Sequence, residues 1–560
     1  MKKLIECVPN FSEGRDLTII KKITDEIKNS DGVKLLDIDP GHATNRTVVT
    51  FVGEPDAVVD AAYKAIKKAG ELIDMSKHSG EHPRMGATDV CPFIPIANIT
   101  MEETVIYAKK LAKKVGEELG IPTYLYEEAA TSPERRNLAI IRAGEYEGLE
   151  KKFATGKLLP DFGEAKFNVR SGATVIGARD FLVAYNINLN TTSTRRANSV
   201  AFDIREKGRI KREGNPISGK IVRDANGNAV REPGTLKSVK AIGWFIEEYG
   251  LAQVSMNLTN IKVTPLHKAF EETVKSASNR GMRVTGSELI GLVPKKVLID
   301  AGKYFLEKQE RSTGIPEEDI IFIAVKSMGL DELKPFDPRK KVIEYLLEDN
   351  GNNKLIELTI KGFADETSRE SPAPGGGSIA AYCGVLGASL GTMVANLSAH
   401  KRGWDNRWKE FSEWAQKGQT LKDKLLFLVD EDTNAFNKIM DAIRMPKTTN
   451  TEKQLRTNAM VEATKYAIKI PFDVMKTSFE TLDLLDYMAN EGNPNSVSDA
   501  GVGALSVRTA VEGAFMNVKI NCKDLKDEDF VNNILKQGNK IMDLTSKKVD
   551  EILKVVYDKM

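Results

Sequence analysis

Between Lys77 and Asp89 the chain places two of its five histidines, His78 and His82, together with Glu81, Asp89, Arg84, Gly80 and Gly86. An imidazole titrates near neutrality and suits acid/base work at physiological pH. Three readings compete. His78, Glu81 and His82 have the spacing of an H-x-x-E-H zinc helix, in which the glutamate acts as base and the chain is a hydrolase. Gly80 and Pro83 oppose that helix, because glycine weakens a helix interior and proline turns the preceding residue away from the αR region. The stretch can also be a polar loop with incidental histidines. In the third reading it is a rigid loop that presents His82 as a general base.

A second group lies just upstream. Asp37 and Asp39 come at the end of a β-branched, apolar strand, and Pro40-Gly41 begins a turn that runs through His42 to Arg46. Loops at strand ends commonly carry chemistry, and by themselves these residues equally make a solvated turn. Farther on, Gly163, Gly172 and Gly177 permit close backbone approach to a flat ligand. No G-x-G-x-x-G spacing occurs there, so the segment is no dinucleotide fingerprint. In the second half, Gly375-Gly376-Gly377-Ser378 runs into a helix N-terminus, a natural seat for a carboxylate or phosphate. His400 is the one histidine of the last two hundred or so residues, and Lys401 and Arg402 beside it should depress its pKa. Asp430-Glu431-Asp432, read alone, is a solvated acidic helix turn; Asp499, Asn517 and Asn521 are polar positions on otherwise apolar helices.

The whole chain bounds these possibilities. Its 560 residues suit about three domains, and 41% hydrophobic with 29% charged residues lets each bury an ordinary core. A net charge of +2 gives no drive toward nucleic acid or an anionic membrane. Cys7, Cys91, Cys383 and Cys522 are scattered without a C-x-x-C, which fits a reducing, cytoplasmic setting. Met1-Lys2-Lys3 is followed too soon by Glu6, Pro9 and Asn10 for a signal peptide. Gly375 to Ala399 carries no charge, yet it is rich in Gly, Ala and Ser, so it reads as a buried helix with close neighbours rather than a membrane span.

Strands and helices alternate through residues 1–180 and again through 181–330, which predicts two α/β subdomains with helices on one side of each sheet. Expected strands include Val33–Ile38, Thr47–Val52, Thr88–Ile94, Leu182–Leu189, Val239–Ile246, Leu251–Leu258 and Ile320–Val325. Residues 207–234 read as an inserted surface hairpin turning at Asn226-Gly227. Composition makes 331–355 a linker and 356–560 an all-α bundle, with helices near 376–397, 407–443, 452–470, 472–489, 498–520 and 527–557.

The stretches Cys7–Gly14, Lys77–Asp89 and Pro160–Arg179 carry a resemblance, as do Trp244, Leu251–Ser255 and Gly291–Pro294. It resumes at Pro372–Ser378, Val429–Asp432 and Phe515–Asn521. The chain resembles the formiminotransferase-cyclodeaminases, bifunctional folate enzymes of histidine breakdown, over nearly its whole length. The resemblance implies two α+β sandwich, ferredoxin-like subdomains followed by an all-α bundle. It implies transfer of a formimino group from N-formimino-L-glutamate to N5 of tetrahydrofolate. Closure to 5,10-methenyl-tetrahydrofolate with release of ammonia follows. It makes His82 the transferase base and Asp432 the cyclodeaminase acid/base, with Asp39 as a partner that orients the imidazole or holds the amidinium. The folate-binding segment maps to Gly163, Glu164, Ala165, Lys166, Phe167, Asn168, Val169, Arg170, Ser171 and Gly172. Gly376, Gly377, Ser378, Asp499, Asn517 and Asn521 are the pocket candidates of the helical half. A polyglutamylated folate, no metal, a cytoplasmic location and a ring-shaped octamer built from dimers complete the expectation. A helical half that serves assembly alone is the competing reading.

Overall fold

The computed structural model describes residues 3–42, 44–80, 83–156, 158–214, 218–347, 354–371, 373–523 and 525–560. Packing divides the chain into two compact units, Met1–Ala301 with Met328–Glu348, and Gly302–Ser327 with Asp349–Met560.

The first unit begins with β1 (Leu4–Cys7), β2 (Asn10–Phe11), α1 (Leu17–Lys28), β3 (Val33–Gly41), β4 (Arg46–Gly53), α2 (Pro55–Leu72), β5 (Thr88–Ala97) and α3 (Met101–Leu119). Then come β6 (Thr123–Glu127), the short helices α4 (Leu138–Arg142) and α5 (Leu149–Thr155), and β7 (Thr174–Ala178). The Asp16 carboxylate accepts from the backbone N–H groups of Thr18 and Ile19 and so starts α1. Ile20, Ile23 and Ile27 then bury one helical stripe. Pro55 opens α2, where its missing N–H costs nothing. The seven strands form one sheet in which β1 and β2 lie between β4 and β5, and β3 edges β4. Strands β5, β7 and β6 run parallel. Ile5, Cys7, Phe51, Cys91 and Phe93 share a core with Val58, Ala62, Ile66 and Leu111 of the helices. Strand alternation sends Glu6 to the other face of the sheet.

A second sheet follows. Its elements are β8 (Val183–Leu189), α6 (Thr194–Ile204), the hairpin strands β9 (Arg209–Ile210) and β10 (Arg231–Glu232), β11 (Val239–Ile246), β12 (Leu251–Leu258), α7 (Leu266–Ser278) and β13 (Val284–Ile290). Leaving the hairpin aside, this is a β-α-β-β-α-β unit with sheet order β11-β12-β8-β13, antiparallel throughout, which is the ferredoxin-like arrangement. The first sheet repeats that plan with β1, α1, β3, β4, α2 and β5, and adds β6 and β7. The inserted hairpin turns at Gly227, whose φ of 81° lies in the left-handed region, and Gly227 N–H donates to Asp224 O. Its residues 215–217 lie outside the described residues.

After α8 (Lys295–Lys308), α9 (Glu317–Met328), α10 (Pro338–Lys341) and α11 (Ile343–Leu347), the helical unit contains α12 (Ile360–Thr367), α13 (Gly376–Ala399), α14 (Trp408–Arg444), α15 (Asn450–Glu491), α16 (Val497–Cys522) and α17 (Glu528–Lys559). Helix α13 packs against α14, α15 and α16. Glycine makes this approach possible: a Cβ at Gly387 would stand 2.6 Å from Val507 Cγ2, and one at Gly391 2.8 Å from Leu484 Cδ2.

Four expectations are corrected. Residues 320–325 are helical within α9, because Glu317, Glu318 and Asp319 supply an acidic first turn and Ile320, Ile321, Ala324 and Val325 bury one face while Phe322 stays exposed. The helices expected at 452–470 and 472–489 are one, α15, which continues through Pro471. Strand β3 does not stop before the Pro-Gly pair but pairs with β4 as far as Gly41, so Asp37 and Asp39 lie within it. Residues 331–347 are not slack linker: Val342 bridges Val293, and Val342 and Ile343 are buried. By packing, Gly302–Ser327 groups with the helical unit. Residues 348–353 of the expected linker lie outside the described residues.

Candidate functional sites

His82 and Glu81 lie outside the described residues, and the residues on either side are tightly tied. His78 Nε2 lies 2.9 Å from the carbonyl oxygen of Asn45, while His78 Nδ1 accepts from Arg84 Nε at 3.2 Å. Arg84 can only donate, so Nδ1 is the acceptor and Nε2 carries the proton. Burial chiefly, with the Arg84 charge, holds the His78 pKa below its ordinary value. Both ring nitrogens are committed, which removes His78 as a zinc ligand or a mobile base. Arg84 itself is anchored by Glu145 and Glu147 at 3.0 and 2.6 Å. Among the described residues no group of three His, Cys, Asp or Glu side chains could hold a metal ion.

Asn45 joins three segments. Its Oδ1 accepts from Gly14 N–H at 3.0 Å and its Nδ2 donates to Ser79 O at 2.9 Å, with its backbone at a φ of 46°. Gly80 rests on the same turn, since a Cβ there would stand 2.3 Å from Thr44 O. Downstream, the fully buried Asp89 accepts from Arg46 Nη1 at 2.5 Å, Arg142 Nη2 at 2.6 Å and Met85 N–H at 3.0 Å. Gly86 forms an antiparallel bridge with Gly172. The flanks of the His82 loop are thereby fixed to the 42–46 turn on one side and to the end of the 163–172 segment on the other. Asp39 is exposed in β3, opposite Val48.

Within 163–172 the ordered contacts gather toward the C-terminal end. Tyr146 OH donates to Val169 O at 2.5 Å, Asn168 Oδ1 accepts from Ser171 N–H at 2.9 Å, and the Tyr146 and Phe167 rings are 5.3 Å apart. Gly163 and Gly172 take φ of 82° and 66°. Glu164, Ala165, Lys166, Val169 and Arg170 are exposed, and Arg170 Nη2 donates to Glu71 O.

In the helical unit, the three adjacent acidic residues Asp430, Glu431 and Asp432 of α14 have three different partners. Asp430 accepts from Leu355 N–H at 2.8 Å. Glu431 is buried and accepts from Asn434 Nδ2 at 3.1 Å and from Tyr466 OH. Asp432 accepts from Ser378 Oγ at 3.1 Å, and its carboxylate lies against the start of α13. Burial pushes the Asp432 pKa up, and the Ser378 hydroxyl and backbone N–H partly oppose the shift. Gly376 faces Asn517, since a Cβ there would be 3.6 Å from Asn517 Nδ2. Gly376, Gly377, Ser378, Asp432 and Asn517 therefore come together. Asp499 does not join them: it lies in the first turn of α16, roughly 27 Å from Asn517 at 1.5 Å rise per residue. Asn521 donates to Ala467 O at 2.8 Å, a structural bond to α15. His400 has its pKa lowered as expected, but the causes are burial and Arg311 rather than Lys401 and Arg402.

Sequence reasoning missed Glu431 and Tyr466, because helix position alone does not say which of three adjacent carboxylates turns inward. It also passed over a polar row on the second sheet, Asn186, Asn188, Gln253 and Glu288. The signal was present in Val183–Leu189, where two asparagines alternate with apolar residues.

A pair of ferredoxin-like subdomains carrying a clamped polar loop, joined to a bundle with its own desolvated carboxylate, defines a class of two-site proteins. Residues 4–179 match the family model described as the formiminotransferase domain, N-terminal subdomain, residues 184–348 match the formiminotransferase domain, and residues 359–540 match formiminotransferase-cyclodeaminase. The chain is 43% identical over 531 residues to the formimidoyltransferase-cyclodeaminase of Mus musculus, covering 95% of this chain and 94% of the relative. It is 42% identical over 561 residues to that of Dictyostelium discoideum, covering 100% of each. The glutamate formimidoyltransferase of Streptococcus pyogenes serotype M1 is 42% identical over 310 residues, 55% of this chain and 95% of the relative. The chain belongs to the formimidoyltransferase-cyclodeaminase family.

Proposed function

We infer that the chain catalyses both reactions of this family. Its α/β half transfers the formimino group of N-formimino-L-glutamate to N5 of tetrahydrofolate, and its helical half closes 5-formimino-tetrahydrofolate to 5,10-methenyl-tetrahydrofolate, releasing ammonia. The place of such a pair of reactions is histidine catabolism and one-carbon metabolism. The observation that carries the bifunctional reading is the Asp432 carboxylate, raised in pKa by burial and seated on Ser378 in a bundle that need contain no such group if it served assembly alone.

In the transfer, N5 attacks the amidine carbon and gives up its proton, the bond from that carbon to the glutamate nitrogen breaks, and the nitrogen takes up a proton to leave as the amine of glutamate. His82 is the base for the N5 proton, a role supported by the family match and by the anchoring of both flanks of its loop; Asp39 orients it or holds the amidinium. A positioned base is worth roughly 10²–10⁴-fold. Gly163–Gly172 is the folate segment, and its exposed Lys166 and Arg170 suit the carboxylates of a polyglutamate tail. In the closure, N10 attacks the formimino carbon, N10 loses a proton, and the amidine nitrogen leaves as ammonia. Asp432 takes the first proton and supplies the second, with Gly376, Gly377, Ser378 and Asn517 shaping the site. No metal takes part in either step of this scheme.

A homo-oligomer, a ring-shaped octamer built from dimers, is supported by apolar side chains left exposed on α13 and α16: Leu386, Met393, Leu397, Val502, Leu505, Met516 and Ile520. The cytoplasmic assignment is supported by the free thiols of Cys7 and Cys91, whose sulfurs lie 3.4 Å apart. Absorbance of methenyl-tetrahydrofolate, with formiminoglutamate and tetrahydrofolate as the only substrates, tests the whole scheme; accumulation of the 5-formimino compound would reduce it to a transferase. Light scattering on the purified chain tests the assembly, and a monomer would remove it.

A further inference from the structure

The second sheet of the first unit has one face packed under α6 and α7 and another that carries a row of hydrogen-bonding side chains. Trp244, Gln253 and Asn188 are cross-strand neighbours on β11, β12 and β8. Glu288 on β13 stands opposite Asn186 on β8. Gln253 and Asn188 are fully buried, an expensive place for carboxamides unless they are paired.

The polarity of the row is fixed. The Trp244 indole can only donate, and it donates to Gln253 Oε1 at 3.1 Å. Gln253 Nε2 must then be the donor to Asn188 Oδ1 at 2.8 Å and to Glu288 Oε1 at 3.1 Å. Asn186 Nδ2 also donates to Glu288 Oε1, at 3.1 Å. Glu288 Oε2 is left with one long contact, 3.5 Å from Tyr249 OH. Asn188 is left with its amide nitrogen buried and with no hydrogen-bond partner among the described residues. One unmet donor and one nearly unmet acceptor thus flank the same Gln253 amide nitrogen. Beside them Trp244 and Ile242 expose apolar surface on the same side of β11, a floor for a flat ring. Lys240, also on that side, is close enough to Glu127 at the end of β6 to oppose the rise in its pKa, so this face looks toward the first sheet.

We propose that the row Trp244–Gln253–Asn188 with Glu288 holds the pterin ring of the reduced folate by its 2-amino-4-oxo edge. Asn188 donates to O4, and Glu288 accepts from N3–H and the 2-amino group. The formamidinium of the donor is the other group a carboxylate could hold. It presents donors only, and it would leave the Asn188 amide unmet. The assignment rests on the transferase reading above.

The test uses the full chain and the transferase reaction with formiminoglutamate saturating. Glu288→Gln keeps the shape of the row and loses the charged acceptor. It is expected to raise the KM for tetrahydrofolate about tenfold or more, with kcat and the KM for formiminoglutamate little changed. A 2-desamino-2-methyl analogue of tetrahydrofolate should be penalised with the unsubstituted chain and much less with Glu288→Gln. Asn188→Asp, which turns the donor into an acceptor, should raise the tetrahydrofolate KM in the same way. Unchanged thermal unfolding of the first unit, together with a retained kcat for transfer, reports that the variants are folded. A rise confined to the formiminoglutamate KM would assign the row to the donor and overturn the proposal, as would an unchanged analogue penalty. If the unsubstituted chain shows no transfer at all, the transferase reading itself falls.

Discussion

Asn521 of α16 supplies the hydrogen bond that Pro471 denies to α15. Proline has no N–H, so the carbonyl four residues before it, that of Ala467, has no helical donor. Asn521 Nδ2 donates to that carbonyl at 2.8 Å. This is how a long helix runs through a buried proline without a break at 470. Asn521→Leu should therefore destabilise the helical unit by about 1–3 kcal/mol, the cost of an unsatisfied buried acceptor. Pro471→Ala in the same background should recover much of the loss. Thermal unfolding of the single and double variants measures the coupling, and additivity would refute it.

Gly377 has no room for a side chain. A Cβ there would stand 2.1 Å from Asp432 Oδ1. Gly377→Ala is expected to displace the carboxylate and to lower ring closure by about a hundredfold, with formimino transfer intact. Both rates can be read on one preparation.

Asp432→Asn should abolish ring closure and also stabilise the bundle at neutral pH. The sign follows from the raised pKa. A carboxyl raised on folding stabilises the fold below its unfolded pKa, and that contribution is lost as pH rises through the folded value. Asparagine avoids the cost of the ionised form. Calorimetry at pH 7.5 should give a melting temperature no lower than that of the unsubstituted chain. A marked fall would mean that the carboxylate is a structural cap for α13.

Glu6 offers the same sign with a value attached. Burial chiefly, and Glu344, push its pKa from 4.5 up to about 7, while Arg179 opposes the shift. Its stabilising contribution is present below about 4.5 and is lost as pH rises through about 7. Between those limits the unsubstituted first unit should lose up to about 3 kcal/mol that Glu6→Gln does not lose. Parallel unfolding midpoints from pH 4.5 to 8 would contradict this.

His82→Ala should lower formimino transfer at least about a hundredfold and spare ring closure of supplied intermediate. His78→Ala should cost less, since that imidazole serves Asn45 and Arg84 rather than the proton. Prolonged dialysis against a chelator should leave transfer unchanged. Equal losses in the two histidine variants would move the base assignment away from His82.

Much of the chain was legible before any coordinates. Period-two runs with β-branched residues located β4, β5, β8, β11 and β12, and the isoleucine stripe with Asp16 located α1. The apolar run at 320–325 was misread because its outward position is held by Phe322 rather than by a polar residue, so nothing in the run reveals the helical period. Residues 331–347 read as linker because Asp337-Pro338-Arg339 and the polar run Glu348–Asn353 mark that region, yet Val342 and Ile343 between them are buried.

The long motifs by themselves pointed to the family and the two chemistries, because a run of unusual residues can be read from the string alone. They also offered His82 and Asp432 as the acid/base candidates. Only the tertiary structure decided that His78 is spent on two hydrogen bonds, that Asp432 rather than Asp430 or Glu431 meets Ser378, and that Asp499 lies far along the helix from Asn517. It alone brought Asn188, Gln253 and Glu288 from three strands into one row. The reason is physical: hydrogen bonding and desolvation act over about 3 Å in space, and neighbours at that distance here stand tens of residues apart in the chain.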